Sequence, residues 1–201
     1  MRSRGILISV VLAFFLCESC SSSSGTAGTA PPTVMAEKPF ASGGKIHVEL
    51  DGGSYAVRPA ADEHIRITFS GNVGTARAEL TGNGAQAHVG IKDTPSNNFQ
   101  ATIEVPKAAD LVVRLGGGNL EIAAISGNKE IESAAGNVEI AVGDPNEYSS
   151  VEGSVKAGDI QAGVFGGSRS GLLQRFTWSG TGKYTLRATL GAGNLTFKQH
   201  K

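Results

Sequence analysis

A five-residue unit keeps returning in this chain: Gly, then Asn or Asp, then an apolar, a polar and an apolar residue. Gly118-Asn119-Leu120-Glu121-Ile122 is the clearest copy. Gly127-Asn128-Lys129-Glu130-Ile131 follows nine residues later, and Gly136-Asn137-Val138-Glu139-Ile140 nine after that. Looser copies are Gly158-Asp159-Ile160-Gln161-Ala162 and Gly193-Asn194-Leu195-Thr196-Phe197. Self-similarity at a fixed period is the mark of stacked repeats. Gly and Asn both tolerate positive φ and turn the chain. The alternation that follows buries one face of a strand.

Composition agrees with many short strands and tight turns. The 201 residues include 28 Gly, only 18% charged and 6% aromatic residues. Apolar residues still make up 40%, too many for a disordered chain. Net charge is zero, so no basic field exists to attract nucleic acid or an anionic membrane surface.

The first 20 residues read as an export signal, with Arg2 and Arg4 ahead of an apolar run from Ile6 to Leu16 that is too short to span a bilayer. Cys17 and Cys20 are the only cysteines, so the remainder has no disulfide framework. Leu16-Cys17-Glu18-Ser19-Cys20, followed by Ser21 to Ser24, resembles a bacterial lipoprotein signal, with Cys20 as the lipidated residue. Glu18 and Cys17 depart from that pattern, and ordinary cleavage here or near Ala27 to Ala30 is the alternative. Residues 21–42 read as a Ser/Gly/Thr/Pro-rich tether and 43–197 as one repeat-built β domain.

Along that domain, Lys45 to Leu50 and His64 to Phe69 alternate, and Thr75 to Thr81 and Gln86 to Ile91 flank Gly82-Asn83-Gly84, a hairpin signal. Asp93 to Asn98 is a polar loop, and Phe99 to Val105 and Asp110 to Leu115 follow as strands. Leu173 to Trp178 and Tyr184 to Leu190 flank Ser179-Gly180-Thr181-Gly182, a second hairpin, expected to cap the stack with Phe176, Trp178 and Tyr184. The expected fold is all-β: a β-solenoid-like stack of strands about five residues long, with hairpins in the N-terminal part and a C-terminal capping hairpin. Leu120, Ile122, Val138 and Ile140 should point inward. Lys129 breaks that pattern, so its side is expected to be wet or near an edge.

The series 116–122, 135–140, 156–162 and 190–197, with the stretch 176–188, resembles bacterial putative-adhesin domains of the DUF4097/DUF2807 type. The resemblance covers 43–197. It implies an exported β-solenoid of the cell envelope and supplies no catalytic residues.

Chemical motifs are sparse. No Ser lies in Gly-x-Ser-x-Gly; Ser168 and Ser170 sit in what reads as a flexible loop. His47, His64, His88 and His200 lack metal-type spacing, and His47 and His88 read as exposed strand residues. Gly82-Asn83-Gly84 with Ala87 mimics a dinucleotide fingerprint without the helix it needs. Asn119, Asn128 and Asn137 offer oxygens for calcium, but their turn role explains them, and the carboxylates fall on strands. Asn194-Leu195-Thr196 is a glycosylation sequon, read without weight in a bacterial-type chain. Glu121 and Glu139 should stack as an outward acidic stripe; solvation explains it, and contact with a cationic partner is the alternative.

The leading expectation is therefore a non-enzymatic, exported envelope protein carrying a rigid binding face, with no catalytic, cofactor or metal residues. Its partner would be a surface or envelope protein or glycan, not nucleic acid, and it would meet the membrane only through Cys20. A structural or stress-linked envelope component is the second reading. A carbohydrate-active enzyme using Glu121 and Glu139 is the third.

Overall fold

The computed structural model describes residues 32–199. The expected export signal, Cys20 and residues 21–31 of the tether lie outside the described residues. The later part of that tether is corrected: Thr33–Pro39 is a strand, β1. It pairs antiparallel with β3 (His64–Gly71), and Arg66 of β3 clamps it by donating to Glu37 at 2.9 Å.

The chain is all-β. The remaining strands are β2 (Lys45–Pro59), β4 (Arg77–Gly82), β5 (Gln86–Lys92), β6 (Phe99–Val105) and β7 (Asp110–Ile122). Then come β8 (Lys129–Val142), β9 (Tyr148–Ala162), β10 (Gly167–Ser179) and β11 (Tyr184–Gln199). They form one open, mixed sheet in the order β1-β3-β6-β2-β7-β8-β11-β9-β10, with the β4–β5 hairpin beside β2. Gly82-Asn83-Gly84 makes that hairpin as expected, and Asn83 Oδ1 accepts from the amides of Ala85 and Gln86.

Two expectations are corrected. Strands of about five residues give way to strands of up to 16, because the repeat glycines bend a strand without ending its pairing. Gly118, Gly136, Gly193 and Gly158 form one row across β7, β8, β11 and β9, all at positive φ. A Cβ on Gly136 would overlap the carbonyl of Gly118, so the row admits only glycine. The Ser168–Ser170 loop is likewise replaced by strand β10.

The C-terminal hairpin is also absent. β10 and β11 do not pair; each lies against β9, on opposite sides. β11, the last of the described strands, is inserted between β8 and β9 as a parallel strand, and β10 becomes the sheet edge. The expected aromatic closure still exists. Phe165, Trp178, Phe176, Phe197, Tyr148 and Tyr184 converge there, with ring centroids 4.9 Å apart for Phe165 and Trp178.

Parallel, in-register pairing repeats each inward residue across the sheet. Leu120, Val138, Leu195 and Ile160 form one buried row behind the glycine corner, and Ile122, Ile140 and Phe197 form the next. Each row is fully desolvated, worth about 1.5–3 kcal/mol for each large side chain.

Candidate binding face

Residues outside the glycine corner are repeated by the same register. Asn137 Nδ2 donates to Asn119 Oδ1 at 2.9 Å, and Asn194 Nδ2 donates to Asn137 Oδ1 at 2.8 Å. Asp159 lies next in line opposite Asn194. A second ladder runs nine positions earlier along the chain. The Asn128 amide donates to Asp110 Oδ1 at 2.8 Å, and Thr185 N donates to Asn128 Oδ1 at 2.9 Å. The nine-residue period is therefore the step from one polar ladder to the other. The 18-residue separation of Asn119 and Asn137 is the step from β7 to β8. The asparagine oxygens that calcium would need are engaged in these ladders. Among the described residues no three His, Cys, Asp or Glu side chains gather as a metal site.

Two residues along from the asparagines runs a row of Thr102, Ala56, Glu121, Glu139, Thr196 and Gln161. Ala56 is the small member, and its place forms the floor of an open groove of about 400 Å³. Arg58, Gln100, Thr102, Asn119, Glu121 and Glu139 rim the groove. Arg58, Gln100 and Asn119 are exposed. Arg58 is in no ion pair among the described residues. The walls carry guanidinium, amide, hydroxyl and carboxylate groups and no exposed aromatic ring.

Glu121 and Glu139 do stack on adjacent strands, but they do not form a bare acidic stripe. Lys198 of β11 donates to Glu139 and lies 3.5 Å from Glu121. That hydrogen bond holds the lysine above its ordinary pKa, and the two carboxylate charges add to it. Sequence reasoning missed Lys198 because the partner strand comes from the chain's far end.

Lys129 is the sharpest correction. It is 2% exposed rather than wet. Its ammonium donates to the carbonyls of Ile125 and Gly127 and to Tyr148 Oη at 2.9 Å, using all three protons. It also lies 5.3 Å from the Tyr148 ring centroid. Burial lowers its pKa to about 8, against the opposing charges of Glu147 and Asp110. The alternation of its repeat placed it inward; its charge alone argued otherwise. A second groove, of about 410 Å³, lies above it between Lys45, Asp110, Glu130 and Arg187.

The histidines stay peripheral. His47 and His88 become neighbours across β2 and β5, with His88 Nε2 4.0 Å from Glu49. His64 Nδ1 lies 3.5 Å from Asp62. His200 lies outside the described residues.

No protein-family model and no curated protein matches the chain. The fold is similar to the crystal structure of a putative cell adhesion protein from Clostridium sporogenes ATCC 15579. That likeness has a TM-score of 0.52 at 13% identity and covers 85% of this chain and 100% of that one. A putative adhesin from Parabacteroides merdae ATCC 43184 matches at TM-score 0.24 and 10% identity, covering 86% of this chain and 97% of that one. The first shows a shared fold and nothing of activity.

Proposed function

We propose that this chain is a non-enzymatic, exported envelope protein whose sheet displays a rigid polar face for a surface glycan. In this reading β2, β7, β8, β11 and β9 are a short β-solenoid of the DUF4097 type, and the segment ending at Cys20 exports it and anchors it by lipid. The observation that carries the reading is the groove over Ala56. Its guanidinium, amides, hydroxyl and carboxylates are fixed at strand spacing by register, so binding would order little. Such planar polar groups hydrogen-bond vicinal hydroxyls, and the broad open groove suits an extended chain of sugars. The name of the Clostridium protein points the same way. Glu121 and Glu139 sharing Lys198 argues for a structural use of the pair rather than hydrolysis.

The test is a screen of envelope polysaccharides and envelope fractions against the chain and its Arg58→Ala and Gln100→Ala variants. Retention of a glycan by the wild type, weakened about tenfold by either change, supports the reading. Binding that both variants keep would move the ligand off this groove. A protein retained from the envelope fractions in place of any glycan would favour the structural-component reading.

A further inference from the structure

The edge strand β10 ends the sheet with two leucines in water. Leu172 is 75% exposed and Leu173 81%. Across β8, β11 and β9 the position facing Leu172 is held by Ala135, Ala192 and Ala157. The fold therefore needs only a methyl group there. Leu173 has φ +53, a left-handed conformation unfavourable for a branched side chain. Such an outlier on an exposed apolar residue is a pointer to function.

The surrounding charge is one-sided. β10 contains Arg169 and Arg175 and no acidic residue. Lys156 lies on β9 between the partners of Leu172 and Gln174. None of these three cations is in an ion pair among the described residues, whereas Arg66, Arg77, Arg114, Arg187 and Lys198 all are. Asp159, opposite Ser170, is the acidic residue in the adjoining register, and Glu152 is held by Arg187 at 3.0 Å.

We propose that Leu172 and Leu173 insert into an anionic lipid surface while Arg169, Arg175 and Lys156 meet its phosphate headgroups. Apolar side chains on a sheet edge flanked by unpaired cations combine burial in the acyl boundary with attraction to anionic lipid. The charge pattern disfavours a second copy of the chain as occupant. Antiparallel pairing of two β10 edges about Leu172 would set Arg169 against Arg175, like charges face to face. Two leucines also cover far less area than a stable protein interface needs. The contact is separate from the groove over Ala56 and would add to any lipid at Cys20.

The experiment compares full-length chains, identical at the N-terminus, on phosphatidylcholine vesicles with and without equimolar phosphatidylglycerol. Leu172→Ser/Leu173→Ser should weaken association by about tenfold or more. Arg169→Gln/Arg175→Gln should remove the preference for phosphatidylglycerol. In a Leu172→Trp chain, lipids brominated on their acyl chains should quench the added indole. Unchanged association of the serine pair, or an unquenched indole, would overturn the proposal. So would self-association that the serine pair abolishes while vesicles have no effect. All the altered side chains are exposed, so circular dichroism should match the wild type.

Discussion

Asn137 donates its side-chain amide to Asn119 across 2.9 Å and accepts from Asn194 at 2.8 Å, so one residue joins three strands from distant parts of the chain. Asn137→Ala removes both bonds from an exposed position. It should cost about 1–2 kcal/mol, taking each exposed bond near the low end of its range. Denaturant melts of the variant would check this. A change under about 0.3 kcal/mol would mean the ladder adds order without stability.

Register can be tested with two neighbouring side chains. Ile140 is fully buried, and Ile140→Ala should cost about 2–5 kcal/mol. Glu139 shares Lys198 on a wetted face, so Glu139→Ala should cost no more than about 1 kcal/mol. Equal losses in urea melts would contradict the inward and outward assignment of β8.

The glycine row gives a stronger contrast. Gly136→Ala forces a Cβ into the Gly118 carbonyl at a left-handed φ and should prevent folding or lower Tm by tens of degrees. Gly117→Ala, one position outside the row, meets only the Ala135 carbonyl at 3.7 Å and should leave Tm within a few degrees. Thermal melts followed by circular dichroism distinguish the two.

Lys129 gives the chain a pH signature. Its folded pKa of about 8 lies below the ordinary 10.5. Between those values the unfolded chain binds more protons, so stability should rise with pH across that window. Tyr148 and Tyr55 act oppositely. Burial raises both above the ordinary 10.0, so the folded chain holds their protons longer and loses stability as pH climbs past that value. Urea midpoints measured from pH 7 upward should therefore pass through a maximum near the tyrosine range. In Lys129→Met the rising limb should vanish while the fall remains. The substitution itself should cost about 1–3 kcal/mol at neutral pH, because it strips partners from two buried carbonyls and the phenol.

Leu173→Gly relieves the left-handed strain, about 1–2 kcal/mol, but adds backbone entropy worth about 0.5–1 kcal/mol to the unfolded chain. Calorimetry should find stability unchanged or slightly raised. A clear loss would show that the leucine side chain supports the fold.

Local features were legible from the residues. The Gly82-Asn83-Gly84 turn, the inward Leu120, Val138 and Ile140, and the glycine corners follow from turn chemistry and alternation. The order of the strands did not follow, since nothing local to Asn194 says that its neighbours are Asn137 and Asp159. The same gap hid Lys198 from Glu121 and the groove over Ala56, both made by strands that meet only through topology. At Lys129 the charge argues against a repeat pattern that places the residue correctly. Leu173 reads simply as a strand residue, since exposure at an edge depends on which strand ends the sheet.

The insertion of β11 between β8 and β9 has a consequence for synthesis. This strand follows all the other described strands in sequence, yet it lies inside the parallel array. Until it arrives, β8 and β9 cannot share a hydrogen-bonded neighbour, and the β9–β10 pair has no parallel strand to dock on. A chain lacking Tyr184–Gln199 would thus lose an interior strand rather than a rim. Synthesis of β11 becomes the condition for the sheet to form as one piece, and chains that lack it would be left open to proteolysis.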